Sequence, residues 1–502
     1  MGCKLYDVTQ TKLKYDGYKV KINGKNVETN TARVSAYPFN RRWPGHQRSI
    51  EQTELINFLS LENDESITFE ITPPEKSENV VIRPSSLGIE PQIKDDGTII
   101  FTLEKAAYFT VEPYGRKNAL HIFADPVKEY DIDFNDENVI YFGKGEHDAG
   151  MIQLESNQTL FIDEGAVVYA CVRAKDAENI KILGRGILDN SRNKEKILFE
   201  VKAENNTSAV KNATRNHTIQ LEYCTGIEIE GITIRDSLVY NIRLRACTDI
   251  DISNVKLIGN WRYNSDGIDM HNCVNVNIDN CFIRTFDDCI CIKGFDFFYA
   301  EDPEKALQEA MYRGGKCYDS FKNVRVRNCV LWNDWGRCLE IGAETRAEEI
   351  CNVVFENCNV IHVTLPVLDC QNVDYAYVHD VVYRNIDVEY DDIIPECIIQ
   401  TSDSMCYENA NPDYAPPIIV VSVTYHQEYS SKGTRRGKNK NITFENIRLY
   451  GRQIPKIQIE SYNEEFASTD ILIKDFYYNG IPLKDTVYEL KIDSDSKNVF
   501  VE

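Results

Sequence analysis

A five-residue pattern, apolar-x-apolar-x-turn, recurs along most of this chain and leaves few folds open to it. It reads IKILG at 180–184, IEIEG at 227–231, IDISN at 250–254, VNIDN at 276–280 and VRVRN at 324–328. It continues as VVFEN at 353–357, VVYRN at 381–385, ITFEN at 442–446 and ILIKD at 471–475. The turn residues at 231, 254, 280, 328, 357 and 385 are separated by 23, 26, 48, 29 and 28 positions, the long step being one unit plus an insertion. A unit of that length cannot bury its apolar face alone and acquires a core only by stacking on its neighbours. Apolar residues at spacing two, many of them β-branched, make each unit strand rather than helix. The expected product is a right-handed parallel β-helix with one coil per repeat.

Asn254, Asn280, Asn328, Asn357, Asn385 and Asn446 fall at one turn of successive coils. Asn tolerates left-handed backbone there, and its amide can bond the Asn above and below, so the column reads as structural. Cys281, Cys329 and Cys358 each follow such an Asn where other coils carry Val255, Ile386 and Ile447. They are expected to be buried thiols rather than metal ligands. No cofactor and no metal is expected.

Between residues 31 and 126 the pattern is different: short alternating runs such as 66–71 and 98–103, broken by Pro73-Pro74 and Asp95-Asp96-Gly97. This reads as a small β-sandwich. The expected division is a sandwich over 1–130 and a β-helix over 131–502. The chain is thus all-β.

Composition removes several classes of function. A formal net charge of -23 is wrong for a partner made of phosphates, which demands a basic footprint. No run approaches the ~20 apolar residues of a membrane span. Neither nucleic acid nor membrane is expected as a partner. The first residues lack the pattern of a secretory signal, and sixteen scattered cysteines suit reduced thiols, so a cytoplasmic location is expected unless a signal has been removed. The segment 432–440 gathers Lys432, Arg435, Arg436, Lys438 and Lys440, and reads first as a solvated loop tip.

Stacking the coils also aligns a second strand, in which Ile242, Ile268, Ile290, Leu339, Leu368 and Ile457 are inward. A period of two then sends Arg243, Asp269, Cys291, Glu340, Asp369 and Gln458 into one outer column, with Arg245, His271, Lys293 and Gln371 in the next. Asp266 sits in the turn before one of these strands, and Asp287 and Asp288 in the turn one coil later. With coils about 4.8 Å apart, the three carboxylates should converge. Crowded carboxylates do not all ionise freely, so one should keep a proton at neutral pH. A proton donor beside a base that activates water is what hydrolysis of a glycosidic bond requires. A calcium site or a solvated acidic turn is the alternative.

The residues that carry this cluster resemble a known family. Asn264-Ser265-Asp266, then Asp287-Asp288 twenty-one residues on from Asp266, then Cys289-Ile290-Cys291-Ile292-Lys293, look like the Asn-Thr-Asp and Asp-Asp-Cys-Ile-x-x-Lys motifs of glycoside hydrolase family 28, the polygalacturonases. The resemblance implies a pectin-lyase-like solenoid, a carbohydrate substrate and single-step displacement with inversion. It implies Asp287 as general acid, Asp266 and Asp288 as the pair that activates water, Asn264 as a positioning residue and Lys293 near the substrate. Arg337 and Glu340 are expected to contact substrate too, with pairing of Arg337 to a neighbouring acid as the other reading. Asp269, His271, Arg243 and Asp369 complete the expected binding surface. The family has Gly-His-Gly where this chain has Gly336-Arg337-Cys338, and its Arg-Ile-Lys motif has no clear counterpart here. The N-terminal sandwich and the segments 141–145 and 163–168 are also similar to family 49, the dextranases and isopullulanase, whose substrates are neutral glucans. A β-helix polysaccharide lyase and a non-catalytic carbohydrate-binding solenoid are the competing classes.

Overall fold

The computed structural model describes residues 2–36, 50, 53–193, 216–262, 264–296, 302–391, 415–427 and 429–502. From Val139 onward, thirty strands form one continuous system, parallel except for the short strand Ile481–Pro482, in which most strands pair with the strand three further along. Three strands therefore make one coil. The coil Thr248–Ser253, Lys256–Ile258 and Ile268–His271 stacks on Val274–Asp279, Phe282–Thr285 and Ile290–Lys293. The next coil up is Ser320–Arg327, Val330–Asn333 and Leu339–Ile341. This is the right-handed parallel β-helix that the repeat predicts.

The repeat places the core. Ile227, Ile250, Val276, Val324, Val353, Val381, Ile442 and Ile471 are in register from coil to coil and are at most 3% exposed. Burying each such side chain contributes about 1.5–3 kcal/mol. Phe355, Tyr383 and Phe444 stack face to face along the same interior, with ring centroids 4.7 and 4.8 Å apart. All six ladder asparagines have φ between 49° and 57°. Asn280 donates to Asn254, Asn385 to Asn357 and Asn446 to Asn385, at 2.7, 3.1 and 2.9 Å, whereas Asn328 donates to Asp279 at 2.7 Å. A second ladder, which the repeat alone does not announce, runs from Asp249 through Asn275 and Asn323 to Asn352. The described cysteines are free thiols, and Cys281, Cys329 and Cys358 are buried as expected.

Ahead of the solenoid, two sheets face each other. One contains Lys4–Leu5, Asn30–Ser35, Thr53–Glu62, Val81–Arg83, Ala107–Arg116 and Leu120–Asp125. The other contains Lys19–Ile22, Lys25–Val27, Ile67–Thr72, Gln92–Ile93 and Ile99–Leu103. Phe69, Phe101 and Phe109 pack between them.

The first sheet turns its other face to the solenoid. Val34, Phe58 and Phe123 meet Phe282, Trp332 and Ile361 there. Buried charges cross the same boundary. The Lys256 ammonium lies 2.9 and 3.0 Å from the two Asp125 oxygens and also donates to Gly231 O at 2.5 Å. Arg185 joins Glu62 at 3.2 Å to Glu230 at 2.9 Å. His362 bridges Glu112 at 2.9 Å and Asp391 at 2.5 Å, and Arg116 joins Asp391 to Asp334.

Two insertions interrupt the coils. The first contains a helix, Pro303–Met311, with Asp302 accepting from Lys305 N at its start and Pro303 in its first turn. Leu307 and Met311 from this insertion and Lys432 and Arg435 from the second line one cavity of about 690 Å³, together with Arg346 and Tyr375. The basic segment is engaged: Arg435 pairs with Glu348 at 2.6 Å, Lys440 lies 3.8 Å from Asp470, and Arg436 is buried over Tyr425. No described helix is long and apolar enough to cross a membrane.

Candidate active site

Strand register decides which side chains meet. Ile268 pairs with Ile290, and Ile290 with Leu339, so counting back two positions puts Asp266, Asp288 and Arg337 at equivalent places on three consecutive coils. Gly267 N donates to Asp288 O and Cys289 N to Arg337 O, both at 2.8 Å, which carries the ladder into the turns. Asp287 stands one residue ahead of Asp288. One oxygen from each of Asp266, Asp287 and Asp288 lies within 4.8 Å of the others. The convergence expected from coil spacing is present.

The cluster is built tightly. Thr285 Oγ1 and Asn333 Nδ2 both donate to Asp287 O, at 2.5 and 2.7 Å, and Asn241 Nδ2 donates to Asp266 O at 2.7 Å. These fix the two turns by their backbones. Gly336 is required by proximity: a Cβ there would stand 2.4 Å from Asp287 C and Asp288 N. Asn264, with φ 53°, turns its amide to Asp287 Oδ2 at 3.4 Å, and Asp288 N donates to Asp287 Oδ1 at 3.1 Å.

Two cations sit among these acids. Lys293 Nζ is 2.8 Å from Asp269, 3.4 Å from Asp266, 3.8 Å from Glu344 and 3.9 Å from Asp288. Arg337 Nε is 2.7 Å from Asp369, and its Nη1 is 3.5 Å from Glu340 and 3.8 Å from Asp288. Its backbone N donates to Asp288 Oδ1 at 2.8 Å. The column Arg243, Asp269, Cys291, Glu340, Asp369 is in register as expected. Its place on an outer face does not expose it, however. Asp269, Glu340 and Asp369 are fully buried, because neighbouring turns and side chains cover that face.

Burial sets the electrostatics. It pushes Asp287 well above the usual carboxylate range, and the Asp288 charge adds to this. Burial, then Asp269 and Asp287, do the same to Asp266. Asp269 and Asp369 are pushed up to about 6, by burial first. Burial pulls the Lys293 ammonium down, but Asp269 and Glu344 outweigh it and hold it well above its ordinary value. The cluster as a whole therefore retains a proton at neutral pH.

The remaining expected residues lie further out. Arg243 is gripped by both Asp296 oxygens at 3.0 and 2.8 Å. His271 is fully buried with Nδ1 2.8 Å from Gly294 O, and burial lowers it to about 3. Sequence reasoning missed Glu344, Asn241, Asn333 and Tyr240, whose ring centroid lies 5.4 Å from Lys293 Nζ. Tyr240 and Asn241 precede Ile242 in register with Asp266 and Gly267, so extending the strand alignment backwards two positions would have found them.

The model of glycosyl hydrolases family 28 matches residues 143–426. The chain belongs to this family. It is 31% identical over 226 residues to a polygalacturonase of Gossypium barbadense, covering 44% of this chain and 53% of that one. It is 33% identical over 85 residues to a probable polygalacturonase of Vitis vinifera, covering 16% and 17%. The chain thus spans about half or less of the length of these curated relatives. Among solved structures, Dex49A from Penicillium minioluteum superposes with a TM-score of 0.62 at 15% identity, covering 98% of this chain and 96% of that one. That likeness shows a shared fold, and it extends over sandwich and solenoid together.

Proposed function

We propose that this family 28 protein hydrolyses the O-glycosidic bonds of a poly- or oligosaccharide by single-step inverting acid/base catalysis, with polygalacturonase-like catalytic groups. The observation that carries the reading is the division of partners within the triad. Lys293 pairs with Asp266 and reaches towards Asp288, whereas among the described residues the Asp287 carboxyl accepts from the Asn264 amide and the Asp288 N–H alone. The ammonium stands nearest Asp266 and reaches Asp288, and the motif likeness makes Asp287 the general acid, so the retained proton is placed on Asp287. Asp287 then protonates the leaving oxygen, and Asp266 and Asp288 orient and deprotonate the attacking water.

The carboxylate spacing bears on stereochemistry. Family membership argues for inversion, and a water with two hydrogen bonds of about 2.7 Å spans the gap between facing oxygens of Asp266 and Asp288. Asn264 positions Asp287. We assign Arg337, whose side chain is partly exposed, to the substrate-facing surface, with Glu340, Asp269 and Asp369 buried behind it and His271 and Arg243 as support.

The test is proton NMR of the first product released from a defined oligosaccharide. The anomer opposite to that of the substrate is expected. Net retention, or a glycosyl ester trapped on any of the three aspartates, would overturn the mechanism. An unsaturated product that needs calcium would replace hydrolysis by elimination.

A further inference from the structure

The surroundings of the triad are overbuilt in acid. Around the catalytic aspartates stand Asp269, Glu340, Glu344 and Asp369, and the cations that face them are Lys293 and Arg337. Each cation is already committed. Lys293 has four carboxylates within 4 Å, and Arg337 has three. The next basic residue in the column, Arg243, is held bidentate by Asp296. A sugar carrying a carboxylate would enter a cleft of its own sign and find these cations neutralised.

The same acids are short of donors. Asp266 Oδ1, Asp269 Oδ2 and Asp369 Oδ1 are buried without a hydrogen-bond donor among the described residues. Buried acceptors left unpaired are costly, and an ionised carboxylate accepts on both oxygens. A uronate carboxylate at neutral pH brings a further negative charge and only further acceptors.

We propose that the subsite beside the catalytic aspartates takes a neutral, hydroxyl-bearing sugar and rejects a uronate, with Asp369 and Glu340 as the specificity-determining residues. This rests on the hydrolase reading above. Asp369 and Glu340 are fully buried and act through Arg337: they occupy the guanidinium that would otherwise grip an anion. Arg337 thus replaces the family's histidine without creating an anion site. Asp269 does the same beside Lys293.

The experiment compares neutral gluco-, galacto- and rhamno-trisaccharides with trigalacturonate and triglucuronate. Turnover is followed by release of reducing ends, and binding to the Asp287→Asn protein by calorimetry. At least a 100-fold advantage in kcat/KM for one neutral trisaccharide over both uronides is expected, with the same order in binding. A uronide preferred in turnover, or bound more tightly by Asp287→Asn, overturns the inference and leaves the hydrolase reading standing. Binding of a neutral trisaccharide without turnover by the wild type supports the inference and defeats the hydrolase reading. Binding of none defeats both.

Asp369→Asn removes the nearest of the three carboxylates on Arg337 and should shift the uronide-to-neutral ratio of kcat/KM at least tenfold towards the uronide. Glu340→Gln should shift it in the same direction and serves where the first variant does not fold. An unchanged ratio in a folded variant removes these residues from specificity.

Discussion

Two regions of this molecule bury charge, and they do so to opposite ends. At the boundary between sandwich and solenoid, Lys256 meets Asp125, Arg185 meets Glu62 and Glu230, and His362 meets Glu112 and Asp391. Each carboxylate there has its cation or its donors within hydrogen-bond distance. In the groove, acids outnumber cations and several oxygens have no donor. Burial is equally deep in both. Saturation separates them, and it marks the first region as a joint and the second as a place where chemistry is poised.

The sharpest break in the comparison should come from the groove. Asp287→Asn keeps the side-chain shape and removes the transferable proton, so turnover should fall by about 10² to 10⁴ at least. Its melting temperature should change little, because a protonated, neutral Asp287 is replaced by a neutral side chain of the same shape. Wild-type rates on a substrate with a poor leaving group would take Asp287 out of the mechanism.

The joint should respond the other way. Lys256→Met leaves Asp125 buried beside Tyr108 without its cation, and losing one partner of a buried pair costs about 3–5 kcal/mol. Urea unfolding should show that loss while kcat/KM of the folded fraction stays at the wild-type value. A drop in kcat/KM with unchanged stability would mean that the joint and the groove are one device.

The smallest effect is also the most discriminating, since the two regions should answer pH with opposite signs. Asp369 is raised from an ordinary 3.8 to about 6, so the folded protein binds more protons there than the unfolded chain. Its contribution to stability is present below about pH 4 and is lost as pH rises through about 6. Asp391 is lowered from 3.8 to about 2, with His362 and Arg116 outweighing its burial. Its contribution is present above about pH 4 and is lost as pH falls through about 2. Relative to wild type, Asp369→Asn should therefore gain stability between pH 4 and 7, and Asp391→Asn should lose it between pH 2 and 4. Each change is on the order of 2 kcal/mol. Parallel curves for the two variants would erase the distinction.

What the sequence made legible follows from the same physics. The solenoid could be read because every coil repeats one constraint, so weak signals at Ile227, Ile250 and Val276 add up. The short strands Lys4–Leu5 and Lys19–Ile22 could not, because two to four residues carry no periodicity of their own. Asp266, Asp287, Asp288 and Lys293 were visible through spacing, since one coil brings residues about two dozen apart into contact. Glu344 and Asn333 were not: they reach the site by stacking from segments without a motif. Nor was the burial of Asp269 and Asp369 visible, because alternation tells which way a side chain points and says nothing about what covers it. The ion pairing of Arg337 with Asp369 and Glu340 depends on that cover as well.

The equivalence of Asp266, Asp288 and Arg337 on successive coils has a consequence for how such a protein can evolve. Each coil contributes one rung to the groove, and the residue behind each rung points inward to an independent apolar stack. Glu340 lies between Leu339 and Ile341, and Asp369 between Leu368 and Cys370, all of them buried. A change at either acid alters one rung and leaves the interior packing untouched. Substrate preference can therefore drift one rung at a time, by single substitutions, in a lineage whose scaffold stays constant.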